Sequence, residues 1–278
     1  MEYAFVNKMI VPVMKSANFF SERVDELLYG MKIEILSNPV IDWYYIKTDY
    51  DYTGYIHGSM IHRNDDKISH WNEFNKMVVI NSFADIVQKQ TVKSPVLLTV
   101  TRGAIVFKVD DSDENGFTRV DLMEGDVGYI KDNFLIEHKT CECVEEDKLR
   151  NQLRNQLVYS ALSYLGTQYR WGGKSPLGID CSGLCQMAYM LNGIIIYRDA
   201  KIVEGFPIKE IPIDEVKMGD LLYFPGHMAM YIGDYNYVHS TAKNGSDGVV
   251  INSLNPADDN YRKDLAHSLY AAGSIFHD

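Results

Sequence analysis

The chain has 278 residues, 46% of them hydrophobic, and carries a formal charge of −11 from 38 acidic against 27 basic side chains. That length and apolar content imply two or three domains with ample core. The acidic excess excludes nucleic acid and anionic membrane surfaces as natural partners, and no apolar run reaches transmembrane length.

In chain order, Met1 to Lys8 shows neither a basic start nor an apolar run behind it, so no secretory signal is expected here. Four cysteines, two of them the close pair Cys141 and Cys143, point to reduced thiols rather than a disulfide framework. The expectation is a cytoplasmic protein, or an exported one if the sequence has been trimmed.

A weak internal repeat follows. Leu28 to Leu36, Trp43 to Lys47 and Gly54 to Ile56 form one set of short alternating runs. Thr101 to Val109, Gly116 to Val120 and Gly128 to Ile130 form a second, offset by 73 to 74 residues. Short alternating strands broken by Gly, Asn and Asp predict two small β-barrels, over residues 1–66 and 67–140. The charged stretch 141–147 reads as the junction to a third domain, 141–278. There, Leu149, Leu153, Leu157, Ala161 and Tyr164 predict a helix stopping at Gly166.

Residues 178–185, Gly-Ile-Asp-Cys-Ser-Gly-Leu-Cys, place a cysteine where a helix begins. Leu184, Met187, Ala188 and Leu191 follow helical spacing, and Gly193 is a C-terminal stop. Unpaired N–H groups and the helix dipole favour an anion there, so the Cys181 thiol is expected to ionise easily into a nucleophile. About fifty residues on, Leu221 to Phe224 reads as a strand, Pro225-Gly226 as a turn, and His227 and His239 fall on the next two strands. Such chemistry needs a base for the thiol proton and a third polar group to hold that base in one tautomer. A zinc site built from Cys181, Cys185 and two histidines lacks a recognised spacing, and Cys185 lies on the inward stripe. Neither metal nor cofactor is called for. The other histidines, His57, His62, His70, His138, His267 and His277, have no supporting context.

The stretch Leu165 to Gly183, with Gly219-Asp220, Gly226-His227 and His239, resembles the NlpC-type murein cysteine peptidases over roughly residues 148–278. The resemblance implies an α+β, papain-like catalytic domain, and the two leading units resemble the bacterial SH3-like barrels that often accompany it. It further implies Cys181 as nucleophile, His227 as general base and His239 as the orienting residue. Tyr169 would line the site and help stabilise the oxyanion beside the Cys181 N–H.

A subgroup of these enzymes acts on free murein peptides with an intact N-terminal L-alanine. The run Ser21 to Gly30 matches the subgroup loop whose glutamate meets that amine, here Glu22. The run Asp51 to Tyr55 matches the loop whose tyrosine enters the cleft, here Tyr52. A buried ammonium must meet a carboxylate, which makes Glu22, Asp180 and Asp199 the acidic candidates, with Ser182 as a further hydrogen-bonding group. Arg198-Asp199 fits the subgroup's Arg-Asp step, although Ala200 stands where a serine is often found. The expected reaction is release of L-Ala-γ-D-Glu by hydrolysis of the γ-D-Glu–diamino acid bond, the diamino acid being meso-diaminopimelate or L-lysine. The competing readings are a wall-cleaving endopeptidase anchored by its barrels, an inactive murein-fragment binding protein, and an amidase of the CHAP type, whose motifs fit less well.

Overall fold

The computed structural model describes residues 2–37, 40–63, 70, 73–139 and 147–276. The stretch 140–146, with Cys141 and Cys143, lies outside them. The chain forms two compact units, Met1–His138 and Lys139–Asp278.

The first unit holds two seven-stranded antiparallel sheets, one spanning Glu2–His62 and the other Asn75–Glu137. Their strand orders are identical when each is numbered from its own first strand, and each carries a 3-10 turn ahead of its last strand, Gly58–Met60 and Asp132–Phe134. Alternation builds both. In Lys32–Ile35 the two isoleucines are buried and the charged residues half-exposed, as a sheet with one core face requires. Gly30 and Gly103 adopt φ of +80° and +88° at equivalent turns, a conformation that disfavours any residue with a Cβ. The barrels share one core: Phe5 and Tyr29 pack among Val79, Val106, Phe107 and Met123. The Met123 N–H donates to the Tyr29 hydroxyl at 2.8 Å.

In the second unit, α1 (Asp147–Leu162) packs on α2 (Cys181–Met190). Leu153, Leu157, Ala161 and Tyr164 are buried as the spacing predicts, but Leu149, in the first turn, is 46% exposed. A six-stranded sheet completes the unit: β1 (Lys209–Ile211), β2 (Leu221–Phe224), β3 (His227–Gly233), β4 (Asn236–Thr241), β5 (Gly248–Ser253) and β6 (Ala271–Ser274), in the order β1-β6-β2-β3-β4-β5. Residues 181–189 are all buried, because α2 sits between α1 and the β3–β4 hairpin. The apolar stripe read from the sequence understated this. Small and amide residues, Ser182, Gly183 and Gln186, are enclosed with it.

Candidate active site

Three local devices bring the site together. The first is the turn before α2. A Cβ on Gly183 would strike the Gly173 carbonyl, and one on Gly173 would strike the Gly178 carbonyl. Glycine at these positions therefore lets the helix end close against the Gly172-Gly173 loop. Asp180 is the N-cap residue, its Oδ1 accepting the Gly183 N–H at 2.6 Å. The second device is the hairpin β2–β3. Phe224 pairs with His227 across the turn Pro225-Gly226, in which Gly226 takes φ +66°. Proline followed by a positive-φ glycine suits a type II turn, which sets His227 at the head of its strand. The third is a cross-link: the Ser240 hydroxyl donates to the Ile179 carbonyl at 2.6 Å, tying β4 to the chain just ahead of Cys181.

The result joins His227 to His239 and brings Met228, the chain neighbour of His227, to Cys181. The backbone N–H groups of Ser182 and Met228 act on the Cys181 sulfur and favour its charged form, working against its burial. His227 Nε2 lies 2.7 Å from His239 Nδ1, with the two rings at 79°. His239 is fully buried, and its Nε2 lies 2.9 Å from Asn252 Oδ1. Tyr169 bridges to Ile179 and sits close enough to Cys181 and Asp180 for their charges to act on it. Burial first, then those two neighbours, push the Tyr169 phenol up, so it stays a hydrogen-bond donor.

The sequence predicts an easily ionised thiol, and the structure differs. Burial, reinforced by the Asp180 carboxylate, pushes the Cys181 thiol up to about 11. Burial also holds His227 down at about 3 and His239 at about 4. The helix end that would favour a thiolate is already satisfied by an anion, the Asp180 side chain. Burial thus favours the uncharged thiol and the uncharged imidazoles in the resting enzyme, so the thiol proton is expected to move during attack rather than before it.

Asp180 also departs from its expected role. Its Oδ2 accepts from Gly172 N–H at 2.9 Å and Arg198 Nη2 at 2.8 Å. Its Oδ1 accepts from Gly183 N–H, from Arg198 Nη1 at 3.0 Å and from the Ser182 hydroxyl at 3.2 Å. A carboxylate offers about four lone-pair sites, so the group expected to meet a substrate ammonium is filled by protein donors. Arg198, fully buried, also donates to the Ser182 hydroxyl oxygen at 2.7 Å. Its role is to hold the Asp180–Ser182 turn that presents Cys181. Asp199 follows it in sequence and is half-buried. Glu22 and Tyr52 belong to the first unit. Glu22 pairs with Lys15 at 2.8 Å, and Tyr52 is held to Thr48 by backbone and side-chain hydrogen bonds around Asp51, whose φ is +56°.

The Gly219-Asp220 step is structural. Asp220 is buried and accepts from Arg154 of α1 at 2.8 Å, from the Ser274 hydroxyl of β6 at 2.6 Å and from the Lys217 N–H at 2.8 Å. It thereby pins helix, sheet and loop at one point. Asn252 is the site residue that sequence reasoning missed. The signal was its place on β5, where it pairs with Tyr237 and stands diagonal to His239, opposite Val250.

A model of the NlpC/P60 family matches residues 166–265, and one of the bacterial SH3 domain matches residues 15–62. A Lysinibacillus sphaericus protein named Dipeptidyl-peptidase 6 is 44% identical over 275 residues, covering 98% of this chain and 99% of its own length. The chain belongs to the NlpC/P60 family. It is accordingly a cysteine peptidase with SH3-like domains ahead of an NlpC/P60 domain, α+β overall. A Bacillus subtilis (strain 168) protein named Gamma-D-glutamyl-L-lysine dipeptidyl-peptidase is 29% identical over 135 residues, 46% of this chain and 42% of that one. The solved structure of an NlpC/P60 family protein from Bacillus cereus ATCC 10987 superposes with a TM-score of 0.77 at 18% identity, covering 98% of each chain. That likeness carries the shared fold.

Proposed function

We propose that this NlpC/P60 enzyme is a dipeptidyl-peptidase of free murein peptides, hydrolysing the γ-D-Glu–diamino acid bond behind an N-terminal L-Ala. The observation that carries the chemistry is the His227–His239–Asn252 hydrogen-bonded line, whose His227 is the chain neighbour of Met228, the residue whose backbone amide acts on the buried Cys181 thiol. The whole-length likeness to an enzyme named a dipeptidyl-peptidase supports the exopeptidase reading over a wall-anchored endopeptidase.

In this reaction the Cys181 sulfur attacks the γ-amide carbonyl carbon as its proton passes to His227. The developing oxyanion takes the Cys181 backbone N–H, which lies in the first turn of α2 without an intrahelical acceptor, and the protonated Tyr169 phenol. Collapse expels the diamino acid's amine, protonated by His227. Water then hydrolyses the thioester with His227 as base. Such a soluble peptide would be met in the cytoplasm.

The test is hydrolysis of L-Ala-γ-D-Glu-diamino acid against its N-acetylated form, with products weighed by mass spectrometry. Cleavage of the free peptide to L-Ala-γ-D-Glu, with the blocked peptide at least tenfold slower, is expected. Equal turnover of the two would overturn the exopeptidase assignment, and retained activity in Cys181→Ala would overturn the nucleophile.

A further inference from the structure

We propose that Asn252, itself oriented by the backbone carbonyl of Asn260, is a positioning residue that fixes the tautomers of both histidines and so makes His227 Nδ1 the base. This rests on the roles given above to Cys181, His227 and His239.

The Asn260 carbonyl can only accept. It takes the Asn252 side-chain Nδ2–H at 2.8 Å and the Ser253 N–H at 3.1 Å, which uses both its lone pairs. The Asn252 amide therefore cannot be turned over, because that would set oxygen against oxygen. Its Oδ1 faces His239, and His239 Nε2 must carry a proton to donate to it at 2.9 Å. In a neutral, fully buried ring the other nitrogen is then bare. His239 Nδ1 accepts, and His227 Nε2 must donate across the 2.7 Å contact. The same logic leaves His227 Nδ1 as the one ring nitrogen with a free lone pair. Each step follows from the donor and acceptor inventory of the groups, starting from a peptide carbonyl.

The loop that supplies Asn260 is itself built to hold still. Asp258 accepts from the Ser253 hydroxyl at 2.6 Å and from Asn255 Nδ2 at 3.0 Å, while its carbonyl accepts the Tyr261 N–H at 3.0 Å. The run Asp258-Asp259-Asn260 is thus the far end of the relay. The charged groups acting on the histidine pair are Arg262 and Asp264, joined to each other at 2.8 Å.

Two measurements test the proposal. Nitrogen-15 spectra of the full chain, with His227 and His239 assigned through His→Gln variants, are expected to show Nε2–H tautomers for both rings at neutral pH. An Nδ1–H on either ring of the resting enzyme would overturn the relay whatever the substrate proves to be. In turnover of the free tripeptide, Asn252→Ala is expected to lower kcat about 10- to 100-fold, the usual cost of losing an outer-shell partner, with KM changed less than twofold. Asn252→Asp keeps an acceptor for the His239 N–H but loses the Nδ2–H held by the Asn260 carbonyl, so its kcat at high pH is expected to fall between those of wild type and Asn252→Ala. Its added negative charge favours the doubly protonated His239, which forces a proton onto His227 Nδ1, so the acid limb of the kcat profile moves to higher pH. Wild-type kcat in Asn252→Ala, or an unmoved acid limb in Asn252→Asp, would sink the proposal. Should Asn252→Ala fail to fold, the wild-type tautomers and the Asn252→Asp profile still decide it. A wild-type enzyme that leaves the tripeptide intact would refute the substrate reading and leave the tautomer result standing.

Discussion

The Arg198–Asp180 pair is the sharpest test of how this site is held together. Both side chains are nearly or fully buried, and the guanidinium reaches both carboxylate oxygens at 3.0 and 2.8 Å while also meeting the Ser182 hydroxyl. Arg198→Met removes the cation but keeps most of the volume. Asp180 is then left as a buried anion whose remaining donors are two backbone N–H groups and one hydroxyl. Breaking a buried pair from one side costs about 3–5 kcal/mol. For a unit the size of residues 139–278 that lowers Tm by about 10 °C or more. Asp180→Asn strands the arginine instead but keeps a good N-cap, so any cap contribution stays nearly constant between the variants.

Coupling separates this account from a general sensitivity of the core. The double variant Arg198→Met with Asp180→Asn has no stranded charge, so its loss should fall short of the summed single losses by about 2 kcal/mol or more. Arg198→Lys should recover only part of the stability, because a single ammonium cannot reach both carboxylate oxygens and the Ser182 hydroxyl oxygen together. Urea unfolding of the full chain, followed by fluorescence and circular dichroism, reads wild type and all four variants. Additivity within about 0.5 kcal/mol would refute the reasoning, since it would mean the two side chains act independently despite their fork geometry.

Two further outcomes follow from the buried titrating groups. His239 has its folded pKa depressed to about 4, below the ordinary 6.5, so the unfolded chain binds its proton first as pH falls. The stability contributed is fully present above pH 6.5 and is lost as pH drops towards 4, by about 2 kcal/mol at pH 5. His239→Gln should therefore show a visibly flatter stability between pH 7 and pH 5 than wild type, and parallel curves would contradict the burial argument. The Cys181 thiol, raised to about 11, should react with iodoacetamide at pH 7 about a hundredfold more slowly than an ordinary thiol of pKa 9. Its rate should climb about tenfold per pH unit through pH 9, whereas a plateau beginning below pH 7 would show a preformed thiolate.

The parts of this molecule legible in the sequence were those set by short-range pattern. Ile33 and Ile35 alternate with charged neighbours, Pro225-Gly226 can hardly be anything but a turn, and Cys181 follows a capping residue at the head of an apolar run. The relations that cross the chain were not legible. Nothing near Asp180 in sequence says that Arg198 will fill its carboxylate. The electrostatics of the thiol were hidden with them: burial, which depends on the long-range packing around the start of α2, raises its pKa first, and the Asp180 carboxylate beside it adds to that. Asn252 was hidden for a related reason, since its meaning depends on the β4–β5 register that sets it diagonal to His239.

Those long-range pairings share a physical logic that bears on how the site works. A buried neutral thiol and buried neutral imidazoles lose less by burial than ions would, so the resting enzyme can enclose them without strong counter-charges. What such a site must then supply is direction: the transferring proton needs one nitrogen, and only one, ready to accept it. The hydrogen bonds through His239 and Asn252 to the Asn260 carbonyl provide that direction without introducing a charge. A carboxylate in the place of Asn252 would bind the imidazolium more tightly but would also draw protons into the pair before substrate arrived. On this view the amide is the better choice wherever the thiol is buried, and the acid limb of Asn252→Asp measures how much better.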